Sequence, residues 1–321
     1  MNSPIHRREM LACGVAAASG VLAARNAIAE TPAALADPAK GDRPSLRFCL
    51  NTSTVRGQQL TVVRQVELAA KAGYDGIEPW MGDLHKYREE GGSLGDLRKR
   101  IADAGLKVES AIGFARWIVD DEQERANGLE EAKRDMDVVA QIGGSRIAAP
   151  PTGATRDAGL NLADAAARYR KLLELGESMG VVPQLELWGF SKNLSRLGEL
   201  LYVAIESGHS QACLLPDVYH IYKGGSDFAG LQLVSGRQIH VFHMNDYPAD
   251  PPRESIGDAN RVYPGLGVAP LSQILRTLSG NGFSGALSLE LFNRDYWQQD
   301  ALQVAETGLR AMREAVAKAF A

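Results

Sequence analysis

Four residues in the C-terminal half of the chain carry side chains suited to divalent-metal chemistry. They are Glu186 in VVPQLELWG, Asp217 in ACLLPDVYH, His243 in QIHVFHMND and Glu290 in ALSLELFN. Each stands at or near the C-terminal end of a short apolar run that reads as a strand. Three carboxylates and one imidazole suit Mn2+ first, and are compatible with Co2+, Mg2+ or Zn2+. No thiolate belongs to the set, which argues against a soft metal. Carboxylates buried in a sheet are costly unless paired or metal-bound. Without a metal, the same residues would have to form a salt-bridged, hydrogen-bonded interior.

The positioning elements alternate. Strands are expected at 46–51, 74–80, 106–114, 145–150, 181–188, 211–217, 238–245 and 285–291. Helical periodicity covers 57–73, 94–105, 121–142, 161–179, 193–207, roughly 226–235, 268–280 and 299–319. Eight strand–helix pairs predict an α/β fold, a (β/α)8 TIM barrel, whose active-site groups gather at the C-terminal strand ends. Strand alternation tests the placement. Gln184, Glu186 and Trp188 share one face, as do Val241, His243 and Asn245, and Ser288, Glu290 and Phe292. The opposite faces carry Leu185 and Leu187, Phe242 and Met244, and Leu287, Leu289 and Leu291. Those apolar faces should meet the outer helices, so the polar faces point inward. No Gly-x-Gly-x-x-Gly follows the first strand, which weakens a dinucleotide-binding alternative.

Other residues at the expected barrel mouth have weaker claims. His220 could hydrogen-bond a substrate oxygen. Glu78 could bind substrate or orient His220. Trp80 and Trp188, and less directly Trp117, could wall a sugar ring. Asn245 and Asp246 could support the His243 loop or touch substrate, and Arg253 in PPRES is the expected loop-borne arginine. The glycine-rich end of RVYPGLG (261–267) could offer backbone donors to an anion.

The stretches LELWG, LLPDVYH, VFHMND and LSLEL, with RVYPGLG between the last two, resemble the xylose-isomerase-like barrel superfamily. The likeness is in particular to its sugar isomerase/epimerase and inosose-dehydratase branches, and it runs over about 46–318. It implies one divalent ion held by Glu186, Asp217, His243 and Glu290, with His220 on the substrate. A divalent ion polarises a ketone, and the two glutamates could remove and return a proton on an adjacent carbon through an enediolate. The family's epimerases use the corresponding glutamates in this way. This predicts an isomerase or epimerase of a keto-sugar or related polyol, with Glu186, Glu290 and His220 as catalytic groups. If a leaving group adjoins the reacting carbon, the same chemistry makes a lyase or dehydratase of a 3-keto-glycoside or inosose. A non-catalytic sugar-binding barrel is the reading from another class. A multi-metal hydrolase should place more His and Asp on the early strands.

Composition is that of an ordinary globular protein: 321 residues, 45% hydrophobic and 23% charged. A net charge of -4 and scattered basic residues give no footprint for nucleic acid. At the N-terminus, His6-Arg7-Arg8 leads into ACGVAAASGVLAA and then Ala27-Ile28-Ala29, the charged, apolar and small-residue succession of an export signal. The paired arginines resemble a twin-arginine signal, so 1–29 is read as a signal, 30–45 as a linker, 46–321 as the catalytic barrel, and the location as periplasmic. Beyond the signal no 18-residue apolar run suggests a membrane span. Cys49 and Cys213 read as buried thiols. A homo-oligomer is compatible with the sequence, which does not set the number of copies.

Overall fold

The computed structural model describes residues 46–321. The expected signal and linker, 1–29 and 30–45, lie outside the described residues. Eight strands run in chain order: β1 (Arg47–Asn51), β2 (Gly76–Glu78), β3 (Lys107–Val108), β4 (Arg146–Ala149), β5 (Val182–Glu186), β6 (Leu214–Leu215), β7 (Val241–Met244) and β8 (Ala286–Leu289). All pair in parallel, in the orders β3-β2-β1-β8-β7 and β4-β5-β6.

Two seams close the ring. Pro216 has no N–H, so the β6 ladder stops at Leu215. The Pro216 carbonyl still accepts the His243 N–H at 2.9 Å, and bridges Leu214↔Ile239 and Asp217↔His243 continue the alignment. Between β3 and β4, the Ala148 N–H donates to the Ala111 carbonyl at 2.8 Å. The result is the expected eight-stranded parallel barrel.

The helices are α1 (Val62–Ala72), α2 (Met81–Glu89), α3 (Leu94–Asp103), α4 (Glu122–Gln141), α5 (Leu162–Met179), α6 (Leu197–Glu206), α7 (Val218–Lys223), α8 (Leu271–Gly280) and α9 (Ala301–Ala319). Their ends follow capping chemistry. Asn161 accepts the Ala163 and Asp164 N–H groups at the start of α5, and Gly180 turns left-handed at its end with φ 69°. Helix α8 buries Leu271, Ile274, Leu275 and Leu278 at helical spacing. Each such side chain contributes roughly 1.5–3 kcal/mol by leaving water. Where α9 crosses β8, a Cβ on Gly308 would meet the Leu289 side chain at 2.2 Å, so any larger residue there would have to displace Leu289.

Two apolar layers result. The large one lies between strands and helices and includes Leu185, Phe242, Leu287 and Leu289. A small separate cluster of Cys49, Ile112, Ala148, Leu215, Val241 and Ala286 fills the barrel interior. Val241 and Ala286 sit two and four residues before His243 and Glu290 on the inward phase, below the charged layer.

Three local expectations change. The helix anticipated over 57–73 begins only at Val62, because Thr61 caps it and Thr52–Gln58 forms a 3-10 turn. Helix α2 was not anticipated: it starts without a side-chain cap and is rich in charge. The helix expected near 226–235 is a 3-10 segment, Phe228–Leu233, and α7 starts eight residues earlier, directly after Asp217. The Asp217 side chain caps it by accepting the His220 N–H at 2.7 Å, and Gly224-Gly225 ends it.

Candidate metal centre and active site

Strands β5, β7 and β8 deliver Glu186, His243 and Glu290 to one point. One ligand atom from each lies within 4.8 Å of the others, and all three residues are buried. His243 Nδ1 is 3.3 Å from Glu290 Oε2 and 3.9 Å from Glu186 Oε1. These residues fit a cation. His243 Nδ1 and Glu186 Oε2 are buried with no hydrogen-bond partner among the described residues. Four buried carboxylates, Glu78, Glu186, Asp217 and Glu290, face one arginine and one histidine. A negative excess of this kind in a closed interior calls for a bound cation. Glu186, His243 and Glu290 form a divalent-metal-binding site.

The next layer orients the ligands. Glu78, at the end of β2, faces His243 Nε2 at 3.1 Å and accepts hydrogen bonds from Ser288 Oγ at 2.7 Å and Asn51 Nδ2 at 3.0 Å. The sequence reading set Glu78 against His220 or substrate. The structure instead puts it behind the metal-facing imidazole, where a carboxylate fixes the ring's tautomer and direction. Asn51 also donates to Glu290 Oε1 at 3.1 Å.

Asp217 stands beside the triad, 3.8 Å from His243 Nδ1, and its oxygens are engaged. Oδ1 caps α7, and Oδ2 accepts from Asn245 Nδ2 at 2.9 Å and Arg261 Nη1 at 3.1 Å. Asn245, expected near substrate, is fully buried and ties Asp217 to the Tyr219 N–H. His220 faces the site with Nε2 at 3.0 Å from Arg261 Nη2 and Nδ1 at 3.2 Å from the Gly189 N–H. A neutral imidazole has one acceptor nitrogen, so it satisfies one of these two donors at a time.

Arg253 does not reach the site. It is half-exposed and 3.6 Å from Glu254. The arginine at the centre is Arg261, fully buried and 2.7 Å from Glu290 Oε2, with Asp258 on its other nitrogen. Arg253, in PPRES, is the loop-borne arginine that the sequence suggests. The loop, however, folds back through mutual Asp246–Val262 hydrogen bonds and returns Arg261 to β7.

The anion expected at the glycine-rich turn belongs to the protein itself. Asp246 Oδ1 accepts the Tyr247 and Ala269 N–H groups at 2.8 and 2.9 Å, and Oδ2 accepts those of Gly265 and Gly267 at 3.0 and 3.1 Å. A Cβ on Gly267 would meet the Tyr247 carbonyl at 2.2 Å, so the turn needs glycine there. Asp246→Ala strands four backbone donors, that of Tyr247 buried and the other three part-buried, and is expected to cost about 2 kcal/mol in urea unfolding. It should also weaken substrate binding through Arg261. Unchanged stability would refute the clamp.

Above the metal-binding group lies a cavity of about 120 Å3 lined by Glu186, His220, Asp258, Arg261 and Glu290 on one side and by Trp80, Phe114, Trp188, Phe190 and Phe292 on the other, with Ile112. Trp80 and Trp188 thus stand where a ring wall was expected. Trp117 does not: it is buried, donates to the Pro150 carbonyl at 2.9 Å and packs on Tyr169.

Burial, with the Glu290, Asp217 and Glu78 charges, pushes Glu186 up to about 8 against the opposing pull of His243. Burial would also raise Glu290, but His243, Arg261 and His220 outweigh it and hold that carboxyl well below the usual range. On His243 burial opposes protonation, yet Glu290 and Glu78 keep its proton bound well above the ordinary imidazole range. His220 is pushed down to about 4 by burial and by Arg261, so it is neutral at pH 7. Burial and the protein's own charges thus push these four groups in opposite directions.

The sequence model of the xylose isomerase-like TIM barrel matches residues 66–315. The chain belongs to that family. It is 27% identical over 280 residues to an inosose isomerase of Halalkalibacterium halodurans, covering 86% of this chain and 98% of that one. A 3-dehydroshikimate dehydratase of Pseudomonas aeruginosa is 25% identical over 253 residues, 78% of this chain and 39% of that one. Among solved structures, the IOLI protein with a zinc atom superposes with TM-score 0.79 at 24% identity, covering 86% of this chain and all of that one. An L-ribulose 3-epimerase superposes at 0.67 and 20% identity, over 85% and 95%. The protein is a metal-binding barrel enzyme related to sugar and cyclitol isomerases, epimerases and dehydratases.

Proposed function

We propose that the protein is a divalent-metal-dependent isomerase or epimerase of a keto-sugar or cyclitol ketone, working through an enediolate. The observation that carries this is the convergence of Glu186 and Glu290 on one buried metal-binding point, facing a small cavity with His220 and Arg261. A bound divalent cation supplies Lewis-acid polarisation of the substrate carbonyl. The ligands are Glu186, His243 and Glu290, with Asp217 as the proposed fourth, and the oxygen-rich donor set favours Mn2+. Glu186 and Glu290 lie on strands separated by β6 and β7, so they reach a bound ring from different sides. One removes the proton next to the ketone and the other returns it. His220 and Arg261 hold the ring's oxygens, and the buried Glu78 keeps His243 fixed. The inosose isomerase relatives support this reading.

A second reading, loss of a leaving group from the same enediolate, is favoured by the 3-dehydroshikimate dehydratase relatives. Solvent-deuterium exchange separates the two. Metal-loaded protein is incubated in D2O with ketoses and inososes and followed by NMR. Deuterium beside the ketone with the skeleton intact supports isomerisation, and an unsaturated product supports elimination. Neither outcome from fully metallated protein across the panel would reject the proposal.

We further propose that residues 1–29 direct export by the twin-arginine route to the periplasm. No helix among the described residues is long and apolar enough to cross a membrane. Fractionation of cells making the full chain should find a shortened protein outside the cytoplasm, and an uncut cytoplasmic product would refute export.

A further inference from the structure

The cavity has two chemically different halves. Its floor and one side are polar, with the charges of Asp258, Arg261 and Glu290 beside Glu186 and the neutral His220. The other side is a continuous arc of rings drawn from four separate loops. Phe292 meets Trp80 at 5.9 Å, Trp80 meets Phe114 at 5.1 Å, Phe114 meets Trp188 at 6.2 Å, and Trp188 stacks on Phe190 at 5.3 Å and 26°. None of the five rings is buried, and Phe190 is 46% exposed. Trp80 and Phe114 pack in part on the small interior cluster, but Trp188, Phe190 and Phe292 belong to neither apolar layer, so core packing does not explain the outer end of the arc. A contiguous aromatic surface left open to water beside a charged floor marks a binding surface.

The arc offers little to a hydroxyl group. Trp80 spends its indole N–H on Asn51 Oδ1 at 3.0 Å and the three phenylalanines have no donor, which leaves the Trp188 indole N–H as the arc's one available donor among the described residues. The enclosed volume of about 120 Å3 is small beside the roughly 300–1,000 Å3 of ordinary ligand pockets. One small polyol ring on the charged floor fills it. The arc continues outward past that ring to the stacked Trp188 and Phe190, which present ring faces to whatever the polyol carries. A flat apolar group would stack there.

We propose that the substrate is a polyhydroxylated ring carrying an aryl substituent, with the polyol on the charged floor and the aryl group against Trp188 and Phe190. This rests on the proposed function for the reacting ring alone; the aryl subsite stands on the arc.

The test is calorimetric binding of phenyl and methyl β-D-glucopyranoside to the metal-loaded full chain. Both lack a ketone, so turnover plays no part. The phenyl compound is expected to bind at least about tenfold more tightly. Phe190→Ala should reduce that preference to about twofold, and Phe190→Trp should keep it. Equal affinities, no detectable binding of the phenyl compound, or a preference untouched by Phe190→Ala would overturn the proposal. A phenyl preference in protein that exchanges no ketone proton would sink the isomerase reading and leave the aryl subsite standing.

Discussion

Glu186→Gln is expected to slow exchange of the substrate proton with solvent by about 1,000-fold, within the range assigned to a positioned general acid or base. The amide keeps a carbonyl oxygen for the cation and nearly the same shape, but it cannot take or give the proton. Substrate affinity, held by His220, Arg261 and the aromatic wall, should change far less. The measurement is a pair of numbers from one preparation: the deuterium exchange rate by NMR and the dissociation constant of an unreactive analogue. If both fall together, Glu186 serves binding; if exchange survives, it has no part in proton transfer. Glu290→Gln should lose exchange as well. It also removes the charge opposite Arg261, 2.7 Å away, so its binding defect should be larger.

His243→Ala should abolish stoichiometric metal binding, and the reason lies on both sides of the ring. Nδ1 faces Glu186 and Glu290, and without it the remaining carboxylates repel one another with no neutral donor among them. Nε2 faces Glu78, which is entirely buried, so truncation leaves that carboxylate with only Ser288 and Asn51. Breaking a buried charge pair by removing one partner typically costs about 3–5 kcal/mol. Metal analysis of the purified protein and urea unfolding in chelator therefore read two separate consequences. Unchanged metal stoichiometry would remove His243 from the site. Lost metal with unchanged apo stability would mean that the Glu78 contact contributes nothing. Asp217→Asn keeps the acceptor at α7 but sets an amide donor against Asn245 Nδ2 and Arg261 Nη1, so it should lower metal affinity and stability together.

Much of this arrangement was legible in the linear sequence. Period-two alternation assigned Glu186, His243 and Glu290 to one phase and the leucines beside them to the other. A strand has only two faces, so once the leucines go out to the helices the acids have nowhere else to point. Helical periodicity over 161–179 came close to the ends of α5, which Asn161 caps and Gly180 closes. Where a helix is missed, its start mark is absent or has another claim on it. Helix α2 starts without a capping side chain, and α7 is capped by Asp217, a residue already read as a metal ligand.

Strand phase, residue type and order along the chain thus determined the barrel, the acids and imidazole at its mouth and the class of chemistry they suit, because each is a local property repeated at short period. The tertiary structure decided what depends on contacts between residues far apart in sequence. It put Glu78 on His243 across 165 positions and folded the loop after β7 so that Arg261, and not Arg253, meets Glu290. It turned the glycine N–H groups onto Asp246 and lined up rings from four loops into one wall. No short-range periodicity encodes where a long loop returns. That is set by which buried donors and charges find partners when the chain closes.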